Sequence, residues 1–399
     1  MNRIRTSAAA VLALCAAIAG TVWATPQDQQ DATKDHSSRS ASGEYHWVLP
    51  QGFPKPRVPA DNPMTDAKVK LGRYLFYDQR MSGNGTQSCA SCHEQSLAFT
   101  DGRPQGVGST GEVHSRGAMS LVNIAYSSVL TWNNPNEHSL ENQALTPMFG
   151  DNPVELGTER GGEDFIEMLR LDRIYGGLFP AAFPGEVDPF TTDNVTKAIA
   201  SFERTIISAA SPYDRYHFGG DDQAISESAK RGEVLFFSEP LSCFRCHGGF
   251  NFSGDTTFEG SGEGRPDDDE GTFHNTGLYN IAGPLSYPAP NVGIYQYTSR
   301  PEDVGKFKVP TLRNIALTAP YMHDGGARTL DNVLDHYAAG GRTIVNSPYA
   351  GNGSQNPNKD PLIRGFKLSS QDRADLIAFL QSLTDEEVLH DPRFANPRQ

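Results

Sequence analysis

Two short motifs restrict the fold of this chain more than any other feature. Cys89-Ala90-Ser91-Cys92-His93 and Cys243-Phe244-Arg245-Cys246-His247 both read C-x-x-C-H. Two thiols at this spacing can form thioether bonds to the vinyl groups of one haem, and the adjoining histidine then turns its imidazole toward the iron. The chain has five cysteines, and four of them lie in these motifs. Two disulfides are a chemical alternative in an exported protein. A zinc site made from four thiolates is another, but it needs the pairs to converge and leaves both histidines unexplained. The motifs therefore predict two covalently bound c-type haems, held by Cys89, Cys92 and His93 and by Cys243, Cys246 and His247.

The surroundings of the motifs are duplicated too. Lys70-Leu71-Gly72-Arg73-Tyr74-Leu75-Phe76-Tyr77 precedes the first, and Lys230-Arg231-Gly232-Glu233-Val234-Leu235-Phe236-Phe237 the second. Both read K-x-G-x-x-L-F-aromatic on helical patterns opening at Thr65 and Ser226. Each unit also closes with a helix. Val195, Ile199, Phe202 and Ile206 share one face of the first; Leu376, Phe379, Leu380 and Leu383 share one face of the last, behind a Ser369/Ser370 start. The expected class is mainly α, with two cytochrome c-like haem domains and long ordered loops. Their expected spans are 45–215 and 216–399. The acidic run at 261–275 reads as an exposed loop.

The N-terminus opens with Arg3 and Arg5, continues with an apolar stretch from about Ala8 to Ala19, and reaches Val22-Trp23-Ala24. This is the pattern of a signal peptide over 1–24, and it implies export to the periplasm. Cys15 as a lipoprotein cysteine is disfavoured by the large Leu14 before it. Residues 25–44 are polar and should form a flexible leader. No later segment is long and apolar enough to span a bilayer. The net charge is −14, and loss of Arg3 and Arg5 makes it more negative, so nucleic acid is a poor partner.

Each iron needs a second axial assignment, because an open position permits reaction with peroxide and a filled one permits only electron transfer. Near the first site the run ENQALTPMFGDNPVEL supplies Gln143, Pro147 and Glu155. A carboxylate over an open haem can shift a proton between the peroxide oxygens, and an amide can orient the peroxide. His114 competes as a sixth ligand. The second site has Met322, His323, His336 and Tyr337 as candidates, and spacing alone favours Met322. Tyr337 lies in TLDNVLDHYAAGG (329–341), where Leu330, Val333, Leu334 and Tyr337 form one helix face and Gly340-Gly341 the stop. Trp132, one of two tryptophans beyond the leader, lies between the motifs in sequence.

These residues resemble the di-haem cytochrome c peroxidases and their MauG branch. The run VPTLRNIALTAPYMHDGG (309–326) with its following helix carries the resemblance, which spans most of the chain after residue 44. The segments EYHWVLPQGFPKPRVPADNPMT and TWNNPNEHSLENQALTPMFG look closest to the MbnH-type di-haem enzymes. The resemblance implies that Tyr337, fourteen residues beyond His323, ligates the second haem. It implies that Trp132 sits between the haems, and that Gln143, Pro147 and Glu155 lie over an open first haem, the step to Glu155 being slightly long. It implies a calcium ion near Thr318 and Pro320, where Gly117 replaces an expected asparagine. It also implies an activity: hydrogen peroxide takes both irons to a formal bis-Fe(IV) state, and the enzyme oxidises a tryptophan on a periplasmic partner protein to kynurenine. The alternatives are a peroxidase fed electrons by a small cytochrome or cupredoxin, and an electron carrier without chemistry of its own.

Overall fold

The computed structural model describes residues 43, 45–158, 163–262 and 271–399. The expected signal peptide, almost all of the leader and the centre of the acidic run lie outside the described residues. Among those described, the chain is mainly helical. The helices are α1 (Asp66–Phe76), α2 (Cys89–Cys92), α3 (Leu140–Gln143), α4 (Leu145–Phe149), α5 (Glu163–Leu171), α6 (Tyr175–Ala182), α7 (Thr192–Glu203), α8 (Pro212–His217), α9 (Glu227–Phe236), α10 (Tyr295–Thr298), α11 (Leu330–Ala339), α12 (Ser370–Ser382) and α13 (Glu387–His390). Two antiparallel strand pairs, Phe273–His274 with Phe307–Lys308 and Thr343–Ile344 with Gly351–Asn352, fasten loops. No described helix is long and apolar enough to cross a membrane.

The helix starts follow from their caps. The side chains of Thr65, Thr191, Ser226, Thr329 and Ser369 each accept a hydrogen bond from an otherwise unpaired first-turn N–H. Ser369 and Asp372 complete a reciprocal capping box. Gly340 ends α11 with φ +71°, a conformation that costs glycine little.

Two helix pairs dominate, α1 with α7 and α9 with α12, and they are built alike. A Cβ on Gly72 would lie 1.9 Å from the Ala198 carbonyl oxygen, and one on Gly232 would lie 1.9 Å from the Asp375 carbonyl oxygen. The backbones therefore touch at the glycine of each K-x-G-x-x-L-F repeat. Around the first crossing Leu71, Leu75 and Phe76 pack with Val195, Ile199 and Phe202. Around the second, Phe236 packs with Leu376, Phe379 and Leu380. Ile206 and Leu383 lie just past the ends of α7 and α12 rather than on them. Both are fully buried in a tightened last turn, where Ile206 N–H donates to Glu203 O and Leu383 N–H to Leu380 O.

A second repeat escaped the sequence reading. Met119-Ser120-Leu121-Val122-Asn123-Ile124-Ala125 matches Pro310-Thr311-Leu312-Arg313-Asn314-Ile315-Ala316. Asn123 and Asn314 both adopt the left-handed conformation, at φ +59° and +58°. Asn123 N–H donates to Ile206 O at 2.8 Å and its side-chain oxygen accepts from Ser208 N–H at 2.8 Å. Asn314 N–H donates to Leu383 O at 3.0 Å and its side-chain oxygen accepts from Asp385 N–H at 2.8 Å. Each half thus has an asparagine latch tying its central loop to the end of its closing helix.

Candidate functional site

Each C-x-x-C-H motif folds into a single turn, so that His93 N–H donates to Cys89 O at 3.0 Å and His247 N–H to Cys243 O at 2.9 Å. All four cysteines are free thiols, which removes the disulfide alternative. Burial holds Cys89 above the usual thiol range, Cys92 at about 11 and Cys243 at about 12. No group of three or more His, Cys, Asp or Glu side chains is arranged around a metal position among the described residues, so the zinc alternative lacks its converging ligands.

The histidines are prepared in the same way. His93 Nδ1 donates to the Phe99 carbonyl at 3.0 Å and His247 Nδ1 to the Phe252 carbonyl at 3.2 Å. A carbonyl only accepts, so the proton sits on Nδ1 and the Nε2 lone pair is free. Burial lowers both imidazoles, His247 to about 4, so both are neutral at pH 7. The backbone of Met119 also lies against the His93 ring and that of Pro310 against the His247 ring, which are matching positions of the second repeat.

Next to the second motif lies a cavity of about 380 Å³. Cys243, Cys246, His247, Tyr337, Met322 and His323 all line it, whereas His336 does not. Burial, and then the nearby Cys246 and Cys243 sulfurs, push the Tyr337 phenol well above the ordinary tyrosine range. The phenol therefore stays protonated unless a metal cation draws the proton off. Thioether-capable thiols, a neutral imidazole with a free Nε2 and a buried oxygen donor in one largely apolar space fit a covalently held haem. Met322 is held at φ +69° and is partly buried against the second core and against the cluster that holds Phe307. His323 stacks on Phe307 with the rings 13° apart, and burial lowers it to about 3.

Trp132 lines the same cavity. Its indole N–H donates to Gly117 O at 2.9 Å, its carbonyl accepts from Lys308 N–H at 2.9 Å, and Gly117 N–H donates to His323 O at 3.1 Å. The indole is thus tied to the segment whose Met119 lies against His93. Thr318 and Pro320 line the cavity with Gly117, but the Gly117 carbonyl is already engaged by the indole.

Glu155 faces the first motif. Its charge acts on both Cys89 and Cys92. The side chain keeps 35 % of its surface exposed, yet enough protein surrounds it to push its carboxyl up to about 7. His114 Nδ1 lies 3.7 Å from Glu155 Oε1, and burial lowers its imidazole. Pro147, in α4, accepts at its carbonyl from Leu156 N–H at 2.9 Å, which sets it beside Glu155. Gln143 ends α3, one residue before α4 begins.

His274 was not found from the sequence. It lines the second cavity. Burial alone would lower it, but the Asp360 carboxylate 2.5 Å from Nδ1 and the Cys246 sulfur outweigh burial and hold it at about 10. Asp360 thus favours the protonated imidazole beside the second motif. His274 falls in the 261–275 run read as an exposed loop, but Phe273, His274 and Asn275 are buried, because Phe273–His274 pairs with Phe307–Lys308.

Comparison with known proteins agrees with this layout. A family described as di-haem cytochrome c peroxidase matches residues 66–223. The methylamine utilization protein MauG of Methylorubrum extorquens is 32 % identical over 358 residues, 89 % of this chain and 88 % of that one. The cytochrome-c peroxidase IdrP1 of a Pseudomonas species is 36 % identical over 355 residues, 85 % of this chain and 86 % of that one. The crystal structure of a MauG-like protein associated with microbial copper homeostasis superposes with a TM-score of 0.85 at 45 % identity, covering 89 % of this chain and all of that one.

Proposed function

The chain belongs to the di-haem cytochrome c peroxidase and MauG family, and from that premise we propose that it is a protein-modifying oxidase. It is a haem-dependent oxidoreductase. In this reading it consumes hydrogen peroxide at the first site and uses the oxidising equivalents on a tryptophan of a partner protein, converting it to kynurenine. The carrying observation is Tyr337 sharing the second cavity with His247. Methionine in that place raises the potential and suits an electron-entry site, whereas an anionic oxygen donor lowers it and suits stored oxidation.

When bound, the haems supply peroxide reduction and hold the oxidising equivalents. The chain's own residues do the rest. Glu155 takes a proton from the bound peroxide and returns it to the departing oxygen, while Gln143 and Pro147 shape the approach. Trp132 passes electrons inward from the partner, whose indole does not enter the buried site. Two molecules of peroxide withdraw four electrons from one indole. Two oxygens are added to give N-formylkynurenine, two waters leave, and hydrolysis then releases formate.

The reading places residues 45–215 as the peroxide-reactive half and 216–399 as the tyrosine-bearing half, consistent with one asparagine latch in each. It places the enzyme in the periplasm, supported by the signal-like N-terminus. A calcium ion near Thr318 and Pro320 would depend on water and backbone oxygens in place of an asparagine side chain. A second reading, a peroxidase fed by a small cytochrome or cupredoxin, is favoured by Met322, which also lines the second cavity.

The test is intact-mass analysis of proteins encoded by neighbouring genes, co-expressed with the enzyme and treated with peroxide. The expected result is a partner whose tryptophan carries the kynurenine mass change, with Trp132→Phe keeping both haems but slowing the conversion about tenfold or more. Rapid steady turnover with reduced cytochrome c and no modified partner would favour the peroxidase.

A further inference from the structure

The duplicated framework makes the two halves comparable residue by residue. The glycine crossings pair Ala198 with Asp375 and Phe202 with Phe379. The asparagine latches pair Ile206 with Leu383 and Ser208 with Asp385. All four pairs share one spacing, so Glu203 corresponds to Leu380. Leu380 is buried and lines the second cavity beside Cys243. Its counterpart is thus an ionisable group in a position where the other half has a hydrocarbon. Glu203 is 5 % exposed, its Oε2 has no hydrogen-bond partner, and its charge acts on the Cys89 sulfur.

We propose that Glu203 is a redox-linked proton-holding residue of the first haem site, a positioning residue that releases its proton when the iron held by His93 loses an electron. One electron leaves the iron, one proton leaves the Glu203 carboxyl for solvent, and the net charge of the pocket is unchanged. Compensation of this kind lowers the cost of holding oxidising equivalents in a dry site. Leu380, at the matching position of the second half, has no proton to release.

The surrounding charges leave Glu203 free for this role. Arg204, next to it, is bonded through both terminal nitrogens to Glu141 of α3, at 2.8 and 2.9 Å. Lys68 of α1 donates to Asn62 Oδ1 and Arg73 of α1 to the Pro392 carbonyl. Burial raises the Glu203 carboxyl to about 8, Arg204 pulling it down and Glu141 pushing it up. It is therefore protonated at rest at neutral pH.

The proposal rests on the haem-site reading but not on partner modification, and its test reads a potential. Spectroelectrochemistry of the di-haem protein is run across pH 6–9 for wild type, Glu203→Gln and Glu203→Leu, the last restoring the residue of the other half. The wild-type first-haem midpoint is expected to fall as pH rises, approaching about 59 mV per unit for one proton per electron. Both variants should lose at least half of that slope. Redox difference infrared spectra should show a protonated carboxyl signal that disappears in Glu203→Gln. Equal slopes in wild type and both Glu203 variants, or an infrared carboxyl signal left unchanged by Glu203→Gln, would overturn the assignment.

Discussion

Glu155→Gln is the most direct perturbation of the proposed peroxide chemistry. The glutamine keeps the shape and removes the base. Loss of a positioned general base slows proton transfer by about 10²–10⁴-fold. The wild-type pH profile is set by the same residue. Surrounding protein raises the Glu155 carboxyl to about 7, and the ionised form is the one that accepts the peroxide proton. The rate should therefore rise with pH, by about tenfold between pH 6 and pH 8, and level off above. His114, 3.7 Å away, is lowered by burial and is neutral through most of that range. Its replacement by asparagine should leave the midpoint near 7. The assay is stopped-flow absorbance of the di-haem enzyme mixed with excess peroxide, where the dependence on peroxide concentration isolates the bimolecular step. A glutamine variant reacting within threefold of wild type, or a wild-type profile flat from pH 5 to pH 9, would refute Glu155 as the base.

Two further outcomes are expected. Tyr337→Met should raise the second-haem potential and convert that haem to sulfur ligation, with partner oxidation falling about tenfold or more; an unchanged spectrum and potential would remove Tyr337 from the iron. Asp214→Asn should destabilise the fold by about 3–5 kcal/mol, measured by denaturant unfolding. It strips the carboxylate from Arg313, which is 1 % exposed and bound to Asp214 through both terminal nitrogens.

The sequence was most informative where chemistry needs residues close together. The C-x-x-C-H turns, the K-x-G-x-x-L-F glycines and the threonine, serine and glycine caps act over a few residues, and their local spacing revealed them. Groups assembled across the chain did not show in this way. His274 owes its raised imidazole to Asp360, 86 residues away, and no local pattern encodes that pairing. The latches of Asn123 and Asn314 were legible in principle, since S/T-L-x-N-I-A occurs twice. The helix ends were read a few residues late because Ile206 and Leu383 continue the apolar spacing into turns that are no longer helical. For the second haem, spacing pointed to Met322 and the resemblance to Tyr337; both residues line the cavity.

The carbonyls of Phe99 and Phe252 hold the two imidazoles in one tautomer, and Met119 and Pro310 border them alike. Whatever separates the temperaments of the two irons must then arise away from that shared backing, on the opposite faces and around the rims. Substitutions on those faces can then retune one iron without disturbing the backing that both halves share.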